Sequence, residues 1–150
     1  MSSDWLTEAI ATRDLERVAP NMGAAGERIN DARRHIRSAE VLAEDDTTLA
    51  MAACHDAIRK ALVAHMSAKG LRVRGGEGAH RTTIAYARHS ELGISAEDLI
   101  AIDDIRRDRA LAEYGDFASR QLKPEQVREA AEVAQRVVSL IARSLSSAQD

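Results

Sequence analysis

The stretch PEQVREAAEVAQRVVSLIARSL, Pro124 to Leu145, decides the fold. Val127, Ala130, Ala134, Val137, Ile141 and Leu145 recur at steps of three and four, so they share one face of a helix. Pro124 stands where a first helical residue is preferred, because the N–H it lacks would have no intrahelical partner there. A helix with one apolar face must bury it, and the rest of the chain has to supply matching faces.

Working towards the N-terminus, the segment Ile102–Phe117, IDDIRRDRALAEYGDF, continues a helix that starts near Ser95, where Ser95 and Asp98 form a variant of the capping box. This helix is expected to fray near Gly115. Leu99, Ile102, Ile105 and Arg109 fall on one stripe, whereas Asp104 and Asp108 fall on the opposite, wet face. A shorter helix over Ala79–His89 carries Ile84 and Ala87, and GLRVRGGEG, residues 70–78, breaks the periodicity and reads as a loop. Met51, Cys54, Ile58, Ala61 and His65, with Leu62 and Met66 beside them, mark a long helix that Gly70 stops. The turn Asp45–Thr48 joins it to another long helix, about Ala24 to Glu44, whose apolar face is Ile29, Ala32, Ile36, Ala39 and Ala43. A first helix is expected from Ser3 or Asp4 to about Val18, ended by Pro20, Asn21 and Gly23. The expectation is a single domain over residues 1–150. Its class is all-α: an antiparallel bundle of four long helices plus one or two short ones.

Composition agrees and narrows the function. The chain has 150 residues, 45% hydrophobic and 30% charged, but only 3% aromatic, so its core has to be built from Ala, Leu, Ile and Val. A net charge of -3 argues against coating nucleic acid by charge alone, while leaving room for a local basic cleft. The one cysteine, Cys54, excludes an internal disulfide and reads as a small buried hydrophobe. The N-terminus has no signal pattern and no apolar run nears the roughly 18 residues of a membrane span, which reads as a cytoplasmic protein with no membrane partner. The histidines lack metal-ligand spacing, and the GGEG turn lacks the lysine and following hydroxyl of a phosphate loop. No metal and no cofactor is expected.

Arg109 is the residue that asks for an explanation. A guanidinium on an apolar stripe cannot lose its charge, so it needs a carboxylate, backbone carbonyls or a phosphate. Glu40 or Glu132 would serve in a purely structural ion pair. A phosphate would make Arg109 functional. His55 lies one turn from Arg59 and is either a satisfied core histidine or an imidazole offered from a neighbouring helix. His80, beside Arg81, follows the glycine loop and faces a cleft. His35 stands among Arg33, Arg34 and Arg37, a solvated basic face that Arg72, Arg74, Arg81 and Arg88 would widen into an RNA-binding groove.

The segments AACHDAIRKALVAHMSAKGLRV, GAHRTTIAYA, IRRDRALAEYGDF and PEQVREAAEVAQRVV together resemble the HEPN superfamily (higher eukaryotes and prokaryotes nucleotide-binding), in particular its small single-domain members. The resemblance covers about residues 24–145. It implies a homodimer, RNA or a nucleotide as ligand, and a toxin/antitoxin or stress-response setting with a nucleotidyltransferase-type partner. Active members are metal-independent ribonucleases with a signature arginine followed by a histidine. One register puts Arg109 at the arginine and Tyr114 at the histidine; the other puts Arg107 at the arginine and Ala112 at the histidine. Neither contains the imidazole, the side chain whose unperturbed pKa suits proton transfer near neutrality. The resemblance therefore implies a degenerate signature, with Arg109 and Tyr114 as the catalytic candidates and Arg106, Arg107, His80 and Arg81 as RNA- or phosphate-binding ones. Three functions stand: a protein binding RNA or nucleotide, with active ribonuclease as its variant; a non-catalytic partner of a nucleotidyltransferase; and a plain helical structural domain.

Overall fold

The computed structural model describes residues 3–76, 78–114 and 121–149. Among the described residues, six helices and one two-stranded ribbon follow in the order α1 (Ser3–Ala11), β1 (Leu15–Arg17), α2 (Met22–Leu42), α3 (Thr47–Ala68), β2 (Leu71–Val73), α4 (Ala79–His89), α5 (Ala96–Tyr114) and α6 (Pro124–Gln149). The four long and two short helices make the expected all-α bundle. Among the described residues, no helix is long and apolar enough to cross a membrane.

Three helix starts are fixed by side-chain caps, of which the sequence reading named only Ser95. Asn21 Oδ1 accepts from Ala24 N at 2.9 Å and Asp46 Oδ1 accepts from Leu49 N at 3.0 Å, opening α2 and α3. Ser95 Oγ accepts from Asp98 N at 3.0 Å and opens α5, but Asp98 does not reach back to complete the box. Its carboxylate instead receives Arg136 Nε at 3.0 Å and Nη2 at 2.9 Å, a bidentate tie to α6.

The core confirms the apolar faces. Ala25, Ile29, Ala32, Ile36 and Ala39 of α2 are buried against α3, which lies along it, and α6 covers both through Val127, Ala134, Val137, Val138 and Ile141. So many alanines at the contact let neighbouring helices approach closely. Cys54 is fully buried with its Sγ 3.8 Å from the Val127 carbonyl, and burial pushes its thiol up to about 12.

The N-terminus departs from the expectation. α1 stops at Ala11 rather than near Val18, in a Schellman motif: Asp14 N donates to Ala9 O and Arg13 N to Ile10 O. Arg13 occupies the left-handed position at φ 64, where glycine is usual, so the sequence carries no visible stop. The chain then runs as β1 antiparallel to β2, pairing Leu15 with Val73, Glu16 with Arg72 and Arg17 with Leu71. The segment read as a plain loop is thus partly strand. Gly70, at φ 72, lets Val18 N donate to its carbonyl at 2.9 Å; a Cβ there would sit 2.7 Å from the Val18 carbonyl oxygen.

Candidate functional site

Three helices bring a cationic cluster together. α3 contributes His55 and Arg59, α4 contributes His80 and Thr83, and α5 contributes Arg109. The rings of His55 and His80 lie 5.6 Å apart between centroids, tilted by 48°. Ile58, Leu62, Ile84 and Ile102 wall the space beside them. Arg109 is half-buried on the stripe of Ile102 and Ile105, as its spacing requires.

His55 is the most constrained member. It is only 7% exposed, and its Nδ1 finds no hydrogen-bond partner among the described residues. Burial first, then the charges of Arg109 and His80, hold its pKa down to about 4, so it is neutral at ordinary pH and offers a lone pair. Of the two sequence readings of His55, a core histidine satisfied at both ring nitrogens is not what the described residues give. His80 is exposed at the first turn of α4 and belongs to a cleft that opens beside it. The cleft, about 690 Å³, runs between the β-ribbon, the start of α2, the second half of α3 and the start of α4.

The remaining candidates are dispersed. Arg106 is half-buried and donates to Asp103 Oδ1 from Nε at 3.3 Å and Nη2 at 3.1 Å. Arg107 is exposed and pairs with Asp104 at 2.6 Å and Asp103 at 3.6 Å. In the register that starts at Arg107, the histidine position is Ala112, a buried methyl group that moves no proton. Tyr114 is the last residue of α5, and its side chain lies outside the described residues, as does the fraying expected near Gly115. Arg81 turns away from the cluster and lines a separate groove with Trp5, Glu8 and Asp14. Glu40 and Glu132, the carboxylates considered for Arg109, are both exposed. Lys60 Nζ of α3 donates to His35 Nε2 of α2 at 2.6 Å, and neither residue lines the cleft.

Two features escaped the sequence. Arg28, on α2, lines the cleft and was not singled out, since alone in a helix it resembles any surface arginine. His65 and Tyr86 form a buried pair, Nδ1 to hydroxyl at 2.6 Å, and nothing in either segment announces its partner. Among the described residues, no group of three or more His, Cys, Asp or Glu is placed to hold a metal ion.

Comparison with the curated proteins finds no match. The description "HEPN domain" matches residues 25–145, from the start of α2 almost to the end of α6, and so includes α3, α4 and α5 with every residue of the cationic cluster. The chain belongs to the HEPN family.

Proposed function

We propose that the chain binds RNA or a nucleotide through its phosphates where α3, α4 and α5 meet, without cleaving it efficiently. The observation that carries this reading is the convergence of Arg109 with two imidazoles, His55 and His80, drawn from helices other than the one that bears the signature arginine. Arg109 supplies the fixed charge and His80 the exposed donor. Membership of the HEPN family supports nucleotide- or RNA-related function; a toxin/antitoxin or stress-response setting with a nucleotidyltransferase-type partner is the finer part of this proposal. The protein acts as a homodimer through α5, where Ile100 and Leu111 are exposed on the outward face.

A second reading, metal-independent ribonuclease, is favoured by one observation: two imidazoles 5.6 Å apart offer a base and an acid from α3 and α4 in place of the missing signature histidine. Fluorescence polarisation with a labelled RNA, with a chelator present and the RNA checked for cleavage, tests both. Arg109→Ala is expected to weaken binding by at least roughly tenfold while the melting temperature moves by a few degrees at most. A fall of more than roughly 6 °C with binding intact assigns Arg109 to the fold instead. Chelator-resistant cleavage that disappears in His80→Ala replaces the binding reading with the second.

A further inference from the structure

We propose that Lys60 is an acylation site, its amine served by the His35 imidazole of the neighbouring helix as base, with an acyl thioester as the acyl donor. The two side chains meet where α2 packs on α3, Lys60 Nζ standing 2.6 Å from His35 Nε2. A helical lysine ordinarily takes a carboxylate one turn away, and Asp56 is placed for that on α3, as Asp31 is beside His35 on α2. Arginines hold both acids. Arg59 Nε lies 3.3 Å from Asp56 Oδ1, and Arg34 Nη2 lies 2.9 Å from Asp31 Oδ1. Among the described residues, Lys60 is left with an imidazole as its partner and makes no ion pair.

That contact has the form of a nucleophile beside its base. An ammonium carries three donors and no acceptor, so Nε2 presents its lone pair to Nζ and the ring proton sits on Nδ1. Burial, then the charge of Lys60, lowers the His35 pKa from the ordinary 6.5, which keeps the ring neutral and able to accept a proton near neutral pH. Both side chains are half-buried, so the amine is held against its base yet reachable from solvent. The chain's other two lysines, Lys69 and Lys123, are exposed, and neither hydrogen-bonds an imidazole among the described residues.

The step balances without an oxidant or a metal. Lys60 gives one proton to water and its free amine attacks the thioester carbonyl, forming the N–C bond. The tetrahedral intermediate passes its surplus N–H proton to His35 Nε2, the C–S bond breaks, and the departing thiolate takes that proton back from the imidazole. An amide and a thiol result, and His35 is restored. Lys60 loses its charge, and α3 loses a charged donor to α2.

The test incubates the full chain with limiting S-acetyl-N-acetylcysteamine, a thioester that contains no nucleotide, and maps acetyl-lysine by mass spectrometry. Lys69 and Lys123 are internal controls. Lys60 is expected to be acetylated at least roughly tenfold faster than either, a comparison that requires no variant. His35→Gln keeps a hydrogen-bond acceptor but moves no proton, so it should bring Lys60 down to the control rate while the melting temperature stays put. A pH series distinguishes a base from a neighbour. His35 faces Lys60 and Asp56 of α3 and Arg34 and Asp31 of α2, and it stays neutral until well into the acid range. The ratio of Lys60 to Lys123 labelling should therefore hold at neutral pH and fall in acid, and this fall should vanish in His35→Gln. Equal labelling of the three lysines overturns the proposal, as does a Lys60 advantage that survives His35→Gln. If that variant does not fold, the wild-type series decides, and a ratio that stays flat into acid overturns the proposal.

Discussion

Helix α3 buries two histidines and treats them differently. Burial pushes both down to about 4. At His65 the cost is met locally: Nδ1 stands 2.6 Å from the Tyr86 hydroxyl, whose proton burial holds firmly in place, and Trp5 packs edge-on against the tyrosine ring at 6.3 Å. That pair stitches α1, α3 and α4 together. At His55 the same chemistry is left open, with Nδ1 meeting no partner among the described residues and the interaction with Arg109, then His80, adding to the cost of a proton. A buried polar atom left unsatisfied costs about 1–3 kcal/mol, which a fold retains where it gains something else. One imidazole ties helices of the bundle together, and the other lies beside Arg109 and His80.

Acid sharpens this comparison most, because it acts on both sites. Each histidine is near 6.5 in the unfolded chain and about 4 in the folded one, so the unfolded state binds more protons between those values. Stability is then complete above about pH 6.5 and falls as pH drops towards 4, by roughly 3 kcal/mol for each histidine. Denaturant midpoints across that window should fall steeply; a flat profile would mean that neither imidazole is protected from protons.

Tyr86→Phe breaks the satisfied side alone. It strands His65 Nδ1 at little change in volume and should cost about 2 kcal/mol, or roughly 4–8 °C in a thermal melt. An unchanged melting temperature would put the two histidines on the same footing. His55→Leu has the smallest expected effect on the fold. Removing a polar atom that has no partner among the described residues should leave stability within about 0.5 kcal/mol or raise it, yet RNA binding should drop. A destabilised protein with intact RNA binding would make His55 as structural as His65.

The helices were legible because long amphipathic segments state their period several times over, as Val127 to Leu145 does on α6. The cap at Ser95 was legible for a local reason, since the side chain meets a backbone group three residues away; Asp46 caps α3 in the same way, but its segment read only as a turn. The ribbon was not. Three-residue strands state no period, and Glu16 finds Arg72 only because α2 and α3 return the chain to it. Arg109 could be singled out from its stripe, but its neighbours could not. Which histidine meets it depends on how α4 docks after a segment without helical period, and only the local cue of His80 opening α4 behind glycines pointed that way. Arg28 carried no cue at all.

The ribbon has one more consequence. Val18, Ala19 and Asn21, which wall the cleft on one side, precede the family-matched span that begins at residue 25, and Gly70 fixes how closely they approach α3. Part of the cleft wall is therefore written outside the matched span, while its cations, Arg28, Arg59, Arg72 and His80, are written inside it. Val18 and Ala19 can vary in shape without touching the buried faces of the four long helices, whereas Asn21 also caps α2, so the two sides of that wall differ in how freely they can change.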